Sequence, residues 1–241
     1  MINLLLGLGA ALAVALLSAL LRISLWVGVP LGLVAGFALF VWLGRKVQQE
    51  LEAVFARAGE LMNRPKPQFD EAIAIMKEGY RYSARQFMVK GSIDGQIGMV
   101  QYMRDKTAEA EPLLKSASLQ HYMAKAMLGI LQWKRGEKKQ ARETFELALK
   151  TGKKESLLYA TYAYVLNEMG DRDKAIAILN KGIEVCKGDE RLEKNRNLLQ
   201  NAKPMKMQVY GAAWYQFKLE RPKLMQEPPP FARVSRRMVR G

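Results

Sequence analysis

From Met1 to Leu43 the chain carries no Asp or Glu and a single basic residue, Arg22, in a run otherwise made of aliphatic, small and aromatic residues. A helix needs about 20 uncharged residues to cross about 30 Å of hydrocarbon, and two such stretches fit here, residues 2–21 and 25–43. Only Arg22, Ile23 and Ser24 separate them. The connection is therefore a tight turn and the helices form an antiparallel hairpin, with Arg22 long enough to snorkel to the headgroups. Small residues recur every fourth position, Gly7, Ala11, Ala15 and Ala19 in the first span and Gly28, Gly32 and Gly36 in the second. Such stripes let backbones approach closely in lipid, and they serve either the hairpin itself or a neighbouring membrane protein. Pro30 falls in the first turns of its helix, where a missing N–H is best tolerated, and Trp26 and Trp42 sit near the span ends, where interfacial indoles are expected. A cleaved signal peptide is the competing reading of the first span. It lacks a basic n-region and a small-x-small cleavage site, and a second span follows at once, so retention is expected. Arg45, Lys46, Arg57, Arg64 and Lys66 after the second span outnumber Arg22 in the turn, which places the remainder on the cytoplasmic side by the positive-inside rule.

The remainder is densely charged. The formal net charge is +15 and Arg22 is the only charge before residue 44, so the basic excess belongs to the polar part. It favours anionic neighbours: acidic proteins, lipid headgroups or nucleic acid. One cysteine, Cys186, forms no internal disulfide, and with one histidine, His121, it cannot complete a Cys/His zinc site. Cys186 reads as a small apolar filler and His121 as a surface or capping residue. No metal or cofactor is expected.

Apolar positions Val47, Leu51, Val54, Phe55, Ala58 and Leu61 follow the 3.6-residue period, so a helix over 45–62 continues the second span. Two prolines in 63–67 end it. Further helices are predicted over 69–82, 91–103, 107–118, 122–135, 138–150, 156–169, 171–185 and 191–201, with no competing strand alternation.

The chain also repeats itself. Gly136 and Gly170 lie 34 residues apart, as do Gly129 and Ala163, Ala141 and Ala175, Phe145 and Leu179, and Ala148 and Gly182. This resembles the tetratricopeptide repeat family, whose pattern runs W-x2-L-G-x2-Y, then A-x3-F, then a small residue and Pro. Residues 122–155 carry Leu128-Gly129, Ala141-x3-Phe145 and Ala148; residues 156–189 carry Tyr162-Ala163, Ala175-x3-Leu179 and Gly182, with Tyr159 at the family Trp. The family Tyr is replaced by Gln132 and Leu166, and the family Pro by Lys153 and Lys187. A more degenerate unit precedes them, with Gly98, Ala110, Leu114 and Ala117, and Phe69 to Gly79 is similar to the second helix of a still earlier one. The resemblance implies a repeat α-solenoid over 69–202 closed by a polar capping helix; with the transmembrane hairpin over 1–44, the juxtamembrane helix and linker over 45–68 and an aromatic and basic extension over 203–241, the chain is expected to be all-α.

It also implies a concave groove lined by the first helix of each pair. Family positions transfer to Met123, Ala126, Ile130 and Trp133, to Leu157, Ala160, Tyr164 and Asn167, and in the degenerate unit to Ser92, Gly95, Met99 and Tyr102. So apolar a lining suits an amphipathic or extended apolar segment of a protein partner. The alternative is that these side chains are core, or are covered by the chain's own C-terminus. Tyr210, Trp214, Tyr215 and Phe217 form an aromatic run that either folds back on the repeats or engages a partner or membrane. Pro222, Pro228, Pro229 and Pro230 rule out a long helix beyond it, and Arg233, Arg236, Arg237 and Arg240 make a basic tail suited to anionic lipid, an acidic partner or RNA. There is no Ser/His/Asp set, phosphate loop or metal-ligand spacing. The reading is a non-catalytic membrane-anchored scaffold supporting a membrane-associated complex; the alternative is a nucleic-acid- or ribosome-associated adaptor working through the tail.

Overall fold

A computed structural model describes residues 1–22, 24–86 and 88–221. Among these the chain is all-helical: α1 (Ile2–Leu20), α2 (Leu25–Met62), α3 (Phe69–Glu78), a 3-10 turn (Gly79–Tyr82), α4 (Val89–Met103), α5 (Thr107–Ser116), α6 (Tyr122–Lys134), α7 (Lys138–Thr151), α8 (Ser156–Glu168), α9 (Arg172–Val185), α10 (Glu190–Gln200), a 3-10 turn (Met207–Tyr210) and α11 (Ala212–Tyr215). They form two compact units, Met1–Lys153 and Lys154 to the C-terminus. The division falls inside the stretch expected as one repeat domain.

In the first unit α1 and α2 are long and apolar enough to cross a membrane. Their large side chains point outward: Leu5 is 66% exposed, Phe37 69% and Trp26 90%. A water-facing protein does not leave so large an apolar surface bare, so these faces call for an apolar neighbour. Their inner faces touch through small residues. A Cβ on Gly32 would lie 2.5 Å from the Ala11 carbonyl oxygen, one on Gly28 2.7 Å from Ser18 Cβ, and one on Gly36 would collide with the Gly7 carbonyl and Ala11. Gly7, Ala11, Ala15, Gly28, Gly32 and Gly36 thus lie where the two backbones meet. The first N–H groups of α1 have no intrahelical acceptor; those of Ile2 and Asn3 donate to the Ala84 and Arg85 carbonyls at 3.1 and 3.0 Å, fastening the hairpin to the loop before α4.

Because α2 continues unbroken past Leu43, one face of its polar half joins the hydrophobic core of the first unit. Val47, Leu51, Ala58 and Leu61 pack in one cluster with Ala72, Ile73 and Met76 of α3, Tyr82, and Ile93, Ile97 and Val100 of α4. Asp94, 2% exposed, joins the next elements, accepting from Lys90 Nζ at 2.8 Å, Ser116 Oγ at 2.6 Å and the Tyr80 hydroxyl at 2.5 Å. Burial opposes its charge, yet those three bonds prevail and hold the carboxyl below its usual range. Lys125 of α6, also buried, reaches across to donate to the Leu114 and Lys115 carbonyls at the end of α5, at 3.2 and 2.9 Å. An ammonium there satisfies orphan carbonyls and suits the negative helix end.

Pairing within the units follows small residues. Gly129 of α6 admits the Phe145 ring of α7, with 2.8 Å to a would-be Cβ, and Gly182 of α9 does the same for Tyr159 of α8. Helices α6 and α8 begin 34 residues apart, and so do α7 and α9. The turns inside the pairs share one geometry. Gly136 and Gly170 adopt φ of 85° and 88°, and the next residue donates back to the third residue from the helix end, Glu137 to Gln132 and Asp171 to Leu166, both at 2.9 Å. This is the left-handed cap that glycine makes without steric cost. The α4–α5 turn repeats it with Asp105 at φ 63° and Lys106 N–H on the Gln101 carbonyl at 3.0 Å.

Candidate partner-binding surface

In the second unit the residues expected to face a groove lie along α8, and one of them, Tyr164, is met by the chain's own C-terminal segment. Beyond α10 the chain turns at Ala202, and Lys206 N–H donates to Asn195 Oδ1 of α10 at 2.7 Å. Met207–Tyr210 form a 3-10 turn, Gly211 takes φ 59° and ψ −142°, a conformation open in practice to glycine alone, and Ala212–Tyr215 close a last helical turn. This path drives Met207, Trp214 and Phe217 to complete burial and Tyr210 nearly so, while Tyr215 stays half-buried. Trp214 meets Tyr164 of α8 edge to face at 5.1 Å between centroids and Phe217 at 6.2 Å, and its Nε1 donates to Glu220 at 3.1 Å. Burial pushes the Tyr164 phenol up, helped by Glu168 and Glu220.

Arg191 of α10 braces the other side. Its guanidinium lies 4.8 Å from the Tyr210 ring centroid, donates to Ser156 Oγ at 2.9 Å and clasps Asp189. Asp189 caps α10 by accepting the Arg191 N–H at 2.9 Å. The Arg191 side chain, then Ser156 and that backbone bond, hold the Asp189 carboxyl down at about 2 despite burial.

Taken unit by unit, the twelve groove positions are not uniformly open. In the second unit Ala160 is wholly buried, and Leu157, Tyr164 and Asn167 are partly so. In the first unit Ala126 and Ile130 have no exposed surface and Tyr102 is 3% exposed, so these three fill core, the alternative the sequence left open for them. The cause is that α6 is enclosed. Every residue from Ala124 to Gln132 is buried, and α4, α5 and α7 all pack on it, so its apolar positions fill core on every side. Met99, Met123 and Trp133 remain partly exposed, at the ends of α4 and α6. His121, expected at the surface or as a cap, packs its ring against Gly95, 3.2 Å from a would-be Cβ, and burial lowers its pKa. Arg233, Arg236, Arg237 and Arg240 lie outside the described residues.

Sequence reasoning missed a polar cleft where α1 starts and the apolar part of α2 ends, lined by Asn3, Leu43, Lys46, Val47, Glu50, Tyr82 and Arg85 with a volume of about 190 Å³. One signal was available, since Asn3 is the only polar side chain between Met1 and Ser18. Among the described residues no group of His, Cys, Asp or Glu is placed to hold a metal ion. No protein-family model, curated protein or solved structure matches the chain.

Proposed function

We propose that the chain is a non-catalytic, membrane-anchored helical-repeat scaffold of the tetratricopeptide type, which binds an apolar segment of a protein partner and supports a membrane-associated complex. The hairpin confines the paired helices to the membrane surface, raising their effective concentration near membrane-bound clients. The observation that most supports this reading is the seating of Trp214 against Tyr164: a short aromatic segment, here the chain's own, already occupies the first helix of a pair. A surface that accepts Trp and Phe in cis has the chemistry to accept such side chains in trans. The partly exposed Met99, Met123 and Trp133 supply adaptable contact area of the same kind.

The test places a photo-crosslinking amino acid at Met123 or at Lys138, which is exposed on α7. The proposal expects a discrete cross-linked partner at Met123 that Trp133→Ala reduces, with none at Lys138. Equal labelling from both positions would refute it. In sealed vesicles a C-terminal tag should be digested from the cytoplasmic face, and the chain should resist carbonate extraction. Loss of partner capture with rising salt, insensitive to Trp133→Ala, would favour a nucleic-acid partner instead.

A further inference from the structure

The cleft at the foot of the hairpin has a chemistry that neither the repeat nor the anchor requires. We infer that it binds the phosphodiester headgroup of an anionic glycerophospholipid, an inference that rests on the membrane-anchored reading above. Its position fits that ligand: Leu43 is the last residue of the apolar run and Asn3 lies in the first turn of the other span, so the cleft opens where hydrocarbon would give way to water. Trp42, 57% exposed with Lys46 Nζ 5.1 Å over its ring, marks the same level.

Its polar groups fit too. Asn3 is 3% exposed, yet its buried Nδ2 donates to no protein atom and the residue lines the cleft. An amide left unpaired in such a place calls for an acceptor from outside. Lys46 and Arg85 line the same wall, and an adjoining cleft of about 440 Å³ adds Arg81 beside Glu50, Tyr82 and Arg85. Arg81 and Arg85 are stacked on the Tyr82 ring, at 4.7 and 5.7 Å. That aligns the guanidinium groups without consuming their hydrogen-bond capacity. Three cations face one carboxylate, Glu50, which already accepts from the Tyr82 hydroxyl at 3.2 Å. The surplus is positive, so an acidic lipid is favoured over a zwitterionic one.

The experiment uses the full chain, reconstituted in phosphatidylcholine vesicles with or without a minor fraction of phosphatidylglycerol, then released into detergent for native mass spectrometry of retained lipid. The expected result is selective retention of phosphatidylglycerol, weakened about fivefold by Lys46→Gln or by Arg85→Gln, the factor one basic group near an anionic surface contributes. Asn3→Leu should weaken retention as well, Glu50→Gln should strengthen it, and the remote Lys138→Gln should leave it unchanged. Equal retention of both lipids, or indifference to Lys46→Gln and Arg85→Gln, overturns the inference. So does displacement of the lipid by millimolar inorganic phosphate or glycerol phosphate, which would make the ligand a soluble anion. Carbonate extraction of the same vesicles tests the anchor separately: a chain that washes off but still selects phosphatidylglycerol in detergent would sink the anchor and keep the cleft.

Discussion

Replacing Trp214 by Ala should release the C-terminal segment from α8. The indole is completely buried, and truncating such a side chain costs about 3–5 kcal/mol. Within that total, the edge-to-face contacts with Tyr164 and Phe217 contribute about 0.5–1.5 kcal/mol each, and the bond to Glu220 a similar amount. The sharpest reporter is the Lys206 amide, whose acceptor is Asn195 on α10, so that it loses protection when the segment lifts. At about 1.4 kcal/mol per factor of ten, a loss near 3 kcal/mol accelerates its exchange about a hundredfold, or to the unprotected rate if docking is weaker than that. Hydrogen exchange resolved to the peptide covering 203–210 measures it. Tyr215→Ala, at a half-buried ring, should change the rate by less than tenfold. Exchange at Lys206 within about twofold of wild type in the Trp214→Ala protein would show that the indole does not hold the segment down.

Gly36→Leu should splay the hairpin, because its Cβ has no room beside the Gly7 carbonyl and Ala11; overpacking of this kind costs about 1–3 kcal/mol. Spin labels at the exposed Leu5 and Val34 should separate by several ångström, and an unchanged distance would contradict the packing. Lys125→Met leaves the Leu114 and Lys115 carbonyls without their donor, a loss of about 1–3 kcal/mol that should lower the melting temperature in detergent by a few degrees; no shift would refute the capping role. Asp189 titrates at about 2 when folded against 3.8 for the free group. Its folded pKa is depressed, so its stabilisation is complete above pH about 4 and is lost as pH falls toward 2, amounting to about 2 kcal/mol. Asp189→Asn should flatten stability across that window, and an unchanged acid limb would show that another carboxylate controls it.

The helices were legible because each buries one stripe, which leaves a 3.6-residue signature. The 34-residue spacing went further, since the helix starts at 122, 138, 156 and 172 and the left-handed turns at Gly136 and Gly170 repeat at that interval. The shared cap at Asp105 was not legible, because a non-glycine residue there carries no signal of a positive φ. Met207–Tyr210 and Ala212–Tyr215 were missed because four residues are too few to show a period. Which groove positions are core was not legible for a different reason: the transferred family positions Ala126 and Ile130 are apolar, but residue type cannot say whether their side of α6 meets a partner or a neighbouring helix. The polar cleft joins residues 3, 46 and 85, and local patterns carry no such long-range contact.

On the proposed scaffold role, the difference between the coverage of α6 and that of α8 bears on where a client would bind. In the second unit the chain's own Trp214 and Phe217 bury the aromatic position on α8, so a client there must first displace a segment held by several kcal/mol. In the first unit Met99, Met123 and Trp133 keep part of their surface open, and a client pays no such displacement cost. Binding should therefore depend on Trp133 in the wild-type chain and acquire a dependence on Tyr164 only when Trp214→Ala has freed α8. A client whose affinity falls with Tyr164→Ala in the presence of Trp214, while ignoring Trp133→Ala, would reverse that order and place the primary site on the second unit.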